Sequence, residues 1–322
     1  MKIAGRPIGR DHAPYLIAEL SANHNGSLER ALNIVRAAKE AGADAVKLQT
    51  YRPDTITLDS DRPEFMIHGG LWDGKRLYDL YQWAHMPWEW HAPLFALGKQ
   101  LGITVFSSPF DFSAIDLLAE LDAPAYKIAS FEAIDLPLIR YAAETGKPLI
   151  ISTGMANERE IGAALETAHK HGCGEVALLH CVSGYPAPAG EYHLATLADM
   201  RQRFGVEVGL SDHTLGSATA IAATALGATL SEGNAVRVLV NGPPTYEAMF
   251  RAIEGARDHI NIESYIIDGE GPGKALADLL RDAVNRQVLT EDDLYRTESF
   301  VIQKLEADPA SARRWRRFRI VE

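Results

Sequence analysis

The sequence has little cysteine, no excess of positive charge and no long hydrophobic run. Cys173 and Cys181 are the only cysteines, so at most one disulfide bridge could form, and the cytoplasm is the predicted location. The formal net charge of −11 argues against nucleic acid or an anionic membrane as a main partner. It still allows local basic pockets that bind small anions.

Segments that could enter a membrane are also missing from the sequence. The N-terminal stretch MKIAGRPIGRDHAPYLIAEL has no apolar core of the length that a signal peptide needs. The longest run of small apolar residues, ATAIAATALGATL, is too short and too rich in alanine and threonine to span a bilayer. We therefore predict no membrane partner.

Short β-type runs recur along the chain, and amphipathic helix-type stretches separate them. The runs cover residues 15–20, 44–49, 103–109, 125–130, 148–153, 175–181, 206–211 and 227–232. Alternating strands and helices predict a parallel sheet with helices outside it. Eight strands favour an α/β fold of the (β/α)8 TIM-barrel type, which takes roughly 250 residues. An open doubly wound sheet is the alternative, but NHNG after the first run is no glycine-rich nucleotide fingerprint.

The predicted barrel domain covers residues 1–260 and becomes atypical from residue 231. Residues 261–322 form a C-terminal extension with no clear domain, and its tail, ARRWRRFR, is rich in arginine. The span 50–90 is a long interruption that carries four of the tryptophans. Such long connections are usually lids or binding loops.

Charged and hydroxyl side chains collect at the carboxyl ends of the predicted strands, where a TIM barrel places its active site. In chain order they are Glu19, Lys47, Gln49, Ser107, Ser108, Lys127, Ser130, Ser152, Thr153, Tyr185, Ser211, Asp212 and His213. Two ammoniums and a ring of hydroxyls suit an anionic ligand, a phosphate or a carboxylate. Each residue alone also has a structural reading, such as an ion-paired lysine or a hydrogen-bonded histidine.

Several motifs resemble those of the sialic acid synthase family over about residues 12–230. They are IAELSANHNGSLERALNIVRAAKEAGADAVKLQTY, FSSPFD, AYKIASFEAIDLPLI, GKPLIISTGMA, HCVSGYPAP and VGLSDHT. The segment LWDGKRLYDLYQWAHMPWEWH is most similar to the pseudaminic acid synthase branch. The resemblance implies a condensation of phosphoenolpyruvate with an acylamino-hexose to give a nine-carbon 2-keto sugar acid and phosphate. It also implies a divalent metal, Mn²⁺ or Mg²⁺, and a homodimer.

The resemblance also implies roles for the residues that match its motifs. The catalytic residues would be Glu19, Lys47, Lys127, Tyr185 and Glu232. The substrate-binding residues would be Gln49, Ser107, Ser108, Ser130, Ser152, Thr153, Ser211 and Asp212, and the metal ligands His213 and Asn234.

The sequence departs from the family pattern at the end of the eighth strand. The family has Ile-Glu-Lys-His-Phe there, whereas this chain has LSEGNA. Glu232 keeps its place, Gly233 replaces the lysine, and Asn234 replaces a histidine that binds the metal. An asparagine oxygen is a weaker ligand than an imidazole nitrogen, so weaker metal binding is predicted. The alternative function is therefore a barrel that binds phosphoenolpyruvate-like anions without turnover.

Residues 233–282 resemble the start of a cardiolipin synthase of the phospholipase D superfamily. The catalytic His-x-Lys signature of that superfamily is absent from the sequence, so no phospholipase activity is predicted. A join between unrelated segments would produce this change of resemblance near residue 233, and so would divergent evolution. The sequence leaves both explanations open.

Overall fold

The computed structural model describes residues 1–69 and 72–233 of the chain. An antiparallel hairpin, β1 (Lys2–Ile3) and β2 (Arg6–Pro7), precedes the barrel. The barrel strands are β3 (Tyr15–Glu19), β4 (Ala45–Thr50), β5 (Thr104–Pro109), β6 (Tyr126–Ile128), β7 (Leu149–Ser152), β8 (Val176–Cys181), β9 (Glu207–Ser211) and β10 (Leu230–Gly233). The helices are α1 (Leu28–Glu40), α2 (Pro53–Ile56), α3 (Leu77–Ala84), α4 (His91–Leu101), α5 (Phe112–Glu120), α6 (Leu136–Ala143), α7 (Glu158–Lys170), α8 (Thr196–Phe204) and α9 (Ala218–Ala225).

The eight parallel strands close into a barrel in the order β10-β3-β4-β5-β6-β7-β8-β9. The predicted TIM barrel is therefore confirmed, and each predicted run overlaps one of its strands, with β4 and β10 ending one residue later than predicted. The last strand, β10, pairs with β3 on one side and β9 on the other, so the LSEG segment closes the sheet. A closed barrel leaves no edge with unpaired backbone groups.

Several helices begin where a side chain caps their first turn. Ser27 accepts a hydrogen bond from the backbone N–H of Arg30 at the start of α1. Asn157 and Glu160 form a reciprocal capping box at the start of α7. These caps satisfy N–H groups that a helix leaves free at its N-terminus. Local capping residues, as well as the hydrophobic pattern, therefore specify where these helices begin.

The barrel interior is apolar towards the amino ends of the strands. Ile3 and Ile8, which flank the hairpin, are buried there against inward-facing strand residues. The strand residues of this cluster are Tyr15, Ile17, Ala45, Phe106, Ala125, Ile150, Ala177, Leu179 and Leu230. Successive side chains on a strand point to opposite faces, so the residues two positions further along face the interior nearer the mouth. Those residues are mostly charged or polar.

The long interruption between β4 and β5 contains helices as well as loop. The short α2 begins at Pro53, whose fixed backbone angle suits a first helical position, and α3 follows further along the interruption. Tyr81 of α3 packs edge-on against Tyr51, directly after β4, with ring centroids 5.7 Å apart. Tyr51 also packs against Phe110, directly after β5. Part of the interruption therefore lies at the carboxyl ends of these strands.

Several predictions concern residues that lie outside those described. They are the metal ligand Asn234, the domain boundary at residue 260, the extension 261–322 with its arginine-rich tail, and the resemblance of residues 233–282 beyond Gly233. Among the helices that the structure does describe, none combines the length and apolar character of a membrane span.

Candidate active site

Two lysine side chains meet one carboxylate inside the barrel mouth. The Nζ atom of Lys47 lies 3.4 Å from Oε1 of Glu232, and Nζ of Lys127 lies 3.3 Å from the same oxygen. Lys47 also forms an ion pair with Oε2 of Glu19. Lys47, Lys127 and Glu232 expose only 2%, 5% and 4% of their surface. The predicted convergence of the two lysines in one cavity is thus what the structure shows.

The charges of this cluster shift the acidity of its members in opposite directions. Burial raises the pKa of Glu19, and the Lys47 ammonium only partly opposes this increase. Burial would also raise the pKa of Glu232, but the Lys127 and Lys47 ammoniums outweigh it and hold that pKa below its usual value. Burial works against the charge of Lys47, yet Glu19 and Glu232 raise its pKa above the ordinary value. The two carboxyl groups therefore differ in acidity, with the pKa of Glu232 held below its ordinary value and that of Glu19 raised above it.

Two serine hydroxyls face the same interior without a partner. Ser108 and Ser152 follow the inward-facing Phe106 and Ile150 by two residues, so their side chains also point inwards. Both hydroxyls are buried and make no hydrogen bond to any described residue. Buried polar groups normally have partners. Free hydroxyl donors beside two ammoniums are the arrangement that an anionic ligand would complete.

Two of the predicted binding residues, Ser107 and Thr153, have hydroxyls engaged elsewhere. Ser107 lies on the outer face of β5, where its Oγ is 2.6 Å from Oγ1 of Thr50, which in turn contacts His91 of α4. Thr153 donates its hydroxyl to the backbone carbonyl of Leu179 at 3.1 Å. Neighbouring residues on a strand face opposite sides, so Ser107 and Ser108 could not both enter the mouth.

The other predicted binding residues lie around the cluster. Ser130 accepts a hydrogen bond from the N–H of Gly154 at 3.2 Å, so its own hydroxyl hydrogen can turn towards a ligand. Ser211 is buried and pairs in register with Glu232. Asp212 accepts two hydrogen bonds from Thr214 through Oδ1, while its buried Oδ2 has no partner among the described residues.

Gly233 has no side chain because the backbone comes too close for one. It has a φ of 120°, and a Cβ atom there would lie 2.3 Å from the backbone oxygen of Asp212. An L-residue at this φ would be strained as well. The glycine that replaces the family's lysine therefore belongs to a backbone arrangement that a side chain would disrupt.

An aromatic pair forms the β8–β9 side of the mouth. The ring of Tyr185 stacks on His213 with centroids 4.2 Å apart, although most of the Tyr185 surface is exposed. A tyrosine phenol, with an ordinary pKa of about 10, is protonated at neutral pH and can donate a hydrogen bond. Burial would lower the pKa of His213, but its contact with Cys181 raises it.

His213 has the tautomer that a metal ligand requires. Its Nδ1 lies 2.8 Å from the backbone carbonyl of Val182, so Nδ1 carries the proton and donates it there. The lone pair of Nε2 is then available, and a carbonyl partner on the other nitrogen is typical of histidines that bind metals. The described residues contain no group of three or more His, Cys, Asp or Glu side chains placed to hold a metal. His213 thus fits a metal as one ligand.

Three residues of this region were not predicted from the sequence. Tyr192 is fully buried, and its hydroxyl donates to the carbonyl of Ser211 and accepts from the N–H of His213, at 2.9 and 2.7 Å. Glu132 has a pKa that burial raises and a buried Oε2 without a partner among the described residues. Cys181 is the inward residue at the end of β8. The alternation of strand faces identifies Cys181, but no pattern in the sequence points to Tyr192.

Comparisons with known proteins find relatives that cover most of this chain. The sequence profile of the NeuB family matches residues 34–233. The chain is 48% identical over 219 residues to a pseudaminic acid synthase from Helicobacter pylori, covering 68% of this chain and 64% of that protein. It therefore spans just under two thirds of the length of that relative. An N,N'-diacetyllegionaminic acid synthase from Legionella pneumophila is 33% identical, with 91% of this chain and 88% of that protein covered.

A solved structure shares the fold. A spore coat polysaccharide biosynthesis protein from Bacillus subtilis superposes with a TM-score of 0.62 at 34% identity, covering 72% of this chain and 62% of that one. None of the proteins named here is a lipid-modifying enzyme, so the resemblance of residues 233–282 to a cardiolipin synthase is not supported.

Proposed function

This chain belongs to the NeuB family, and on that premise we propose that it condenses phosphoenolpyruvate with an acylamino-hexose. The products would be a nine-carbon 2-keto sugar acid and inorganic phosphate. The methylene carbon of phosphoenolpyruvate bonds to the aldehyde carbon of the sugar, and the aldehyde oxygen gains a proton. Water adds to the resulting cation, and the tetrahedral intermediate then releases phosphate.

The observation that carries this proposal is the buried Lys47–Glu232–Lys127 cluster beside free serine hydroxyls. Phosphoenolpyruvate presents a phosphate and a carboxylate on three carbons, which suits two neighbouring ammoniums. Ser108 and Ser152 would donate the directed hydrogen bonds that complete the pocket. Charge-assisted hydrogen bonds of this kind are roughly twice as strong as neutral ones.

Glu232 and Glu19 take different parts because their acidity differs. Glu232, whose pKa lies below its ordinary value, pairs with both amines and holds them at the mouth. Glu19 has a raised pKa, so it can exchange a proton with the attacking water or the aldehyde oxygen. Its position next to Lys47 brings that proton close to the bound anion.

The aldehyde end of the sugar would lie towards His213 and Tyr185. Tyr185 would donate its phenolic hydrogen to the sugar, and Gln49, on the inward face of β4, would contact it from the opposite side. His213 and Asn234, the latter outside the described residues, would hold a divalent metal, Mn²⁺ or Mg²⁺. When bound, that metal would polarise the aldehyde carbonyl as a Lewis acid.

The relatives indicate which acceptor to test first. The pseudaminic acid synthase named above is 48% identical over 219 residues of this chain, and the legionaminic acid synthase is 33% identical over 313 residues. We therefore propose a diacetamido-trideoxy-altrose as the sugar. We also propose a cytoplasmic location, which the low cysteine content supports, and a homodimer.

The experiment is phosphate release from phosphoenolpyruvate with that sugar, with and without Mn²⁺. The proposal predicts release that requires both substrates and increases with the metal. The alternative of a barrel that binds without turnover predicts thermal protection by phosphoenolpyruvate and no phosphate. Both curated relatives are synthases, so this alternative is not favoured. Absence of both protection and release would refute the proposed function.

A further inference from the structure

Ser21 has a backbone conformation that is uncommon for a residue with a side chain. Its φ is 46°, in the left-handed region, and it lies two residues after Glu19 at the barrel mouth. Residues other than glycine adopt this region at a cost, and such strained positions cluster at functional sites. The contacts that Ser21 makes in this conformation explain why the strained backbone is retained.

The left-handed turn directs two donors of Ser21 at two residues of the mouth. Its backbone N–H donates to Oε1 of Glu19 at 2.8 Å. Its hydroxyl donates to Oε1 of Gln49, on the neighbouring strand, at 3.4 Å. One residue therefore touches both the proposed proton carrier and the proposed sugar-binding amide.

In the structure the hydroxyl contact is made to the oxygen end of the Gln49 amide. Because Ser21 donates to Oε1, the amide nitrogen Nε2 is the end turned away from Ser21. Gln49 follows the inward-facing Lys47 by two residues on β4, so its side chain also faces the interior. Nε2 makes no hydrogen bond to a described residue, so its hydrogens can be donated to a ligand.

We propose that Ser21 is a positioning residue for sugar recognition, which rests on the proposed function above. By holding Oε1 of Gln49, its hydroxyl presents Nε2 as a hydrogen-bond donor to the acylamino-hexose. The matching group on the sugar is an acceptor, either the carbonyl oxygen of an acylamino substituent or a hydroxyl oxygen. Without Ser21 the amide can turn over and offer an acceptor instead of a donor.

The hydroxyl and the backbone of Ser21 can be separated by substitution. Ser21→Ala and Ser21→Gly both remove the hydroxyl, and both keep the N–H that contacts Glu19. Glycine adopts a φ of 46° without strain, whereas alanine does not. If the hydroxyl matters, the two variants share one kinetic defect although the glycine variant melts at the higher temperature.

The test measures steady-state kinetics of the full-length chain with phosphoenolpyruvate and the diacetamido sugar. Both variants are expected to raise KM for the sugar about fivefold, the equivalent of one lost neutral hydrogen bond. KM for phosphoenolpyruvate should stay within about twofold, because Ser21 does not contact Lys47 or Lys127. The pH profile of kcat should be unchanged, since the N–H to Glu19 remains.

The matched control is Asn25→Gly. Asn25 has a φ of 47° in the same loop, is exposed, and has no recorded contact with the mouth, so this change should leave both KM values unaltered. Wild-type KM for the sugar in Ser21→Gly, or in both Ser21 variants, would overturn the positioning role alone. A wild-type chain that neither binds the sugar in a calorimetric titration nor releases phosphate would refute the proposed function and this inference with it.

Discussion

The two ends of the barrel interior are built from the same strands but from opposite kinds of side chain. At the amino end, Ile3 and Ile8 of the hairpin region complete an apolar cluster. At the carboxyl end, Lys47, Lys127 and Glu232 are equally buried and charged. Burying charge costs stability unless it is paired, whereas burying apolar surface provides stability. The base of the barrel therefore stabilises the fold, and the mouth uses part of that stability to hold a ligand site.

Removal of one of the two lysines should have the largest effect on ligand binding at the barrel mouth. Lys127→Ala is expected to weaken phosphoenolpyruvate binding about 1,000-fold, or about 4 kcal/mol, because anionic oxygens lose a buried cation. Isothermal titration calorimetry measures this directly. Lys147→Ala is the control, since Lys147 forms an exposed ion pair with Asp122 at 2.7 Å. Equal affinities in the two variants would remove Lys127 from the site.

Loss of the Glu232 carboxylate, which both lysines share, should show how much stability is lost when buried charges have no partner. Glu232→Gln is expected to lower the free energy of unfolding by about 3 kcal/mol near pH 7, because two buried ammoniums lose their common partner. In the folded protein the pKa of Glu232 lies below its ordinary value of 4.5. The ionised carboxylate therefore contributes stability above that value, and the contribution is lost as the pH falls through the lower folded pKa.

Urea unfolding at a series of pH values checks this trend. The gap between wild type and Glu232→Gln should narrow as the pH is lowered from about 7 towards 3. Glu144→Gln, in an exposed pair with Arg140, is the control and should change stability much less. A gap that stays constant or widens on acidification would contradict the assigned role.

A substitution in the apolar cluster at the amino end of the barrel should lower stability without affecting substrate binding. Ile3→Ala is expected to lower the free energy of unfolding by about 2 kcal/mol, through lost apolar burial and a cavity. KM for phosphoenolpyruvate should not change, because Ile3 lies at the end of the barrel away from the lysines. Leu58→Ala is the control, since Leu58 is 66% exposed. An altered KM would mean that base and mouth are coupled.

The smallest expected effects are those of substitutions at the adjacent residues Ser107 and Ser108, which should differ in kind. Ser108→Ala should weaken phosphoenolpyruvate binding about tenfold and leave stability unchanged or higher, because its buried hydroxyl has no partner among the described residues. Ser107→Ala should cost about 1 kcal/mol of stability through the lost contact with Thr50 and leave binding intact. The same titration and unfolding measurements check both. The reverse assignment of effects would contradict the placement of these two residues.

The sequence was sufficient to predict the barrel and the two lysines. Each strand is a short apolar run set between helix-type stretches, and Lys47 and Lys127 lie within two of those runs, so the pattern alone places them in one barrel. Adjacent pairs such as Ser107 and Ser108 were predicted together, although the period of two along a strand admits only one of them. Tyr192 could not be predicted, because its hydrogen bonds to Ser211 and His213 depend on how a distant loop folds back.

The most direct test of the account is a crystal structure of the full chain with phosphoenolpyruvate. The account predicts phosphate or carboxylate oxygens within about 3 Å of Nζ of both Lys47 and Lys127, with Ser108 or Ser152 as a further donor. A ligand that is seated elsewhere, or lysines that keep only their contacts with Glu232 while the ligand is bound, would contradict it.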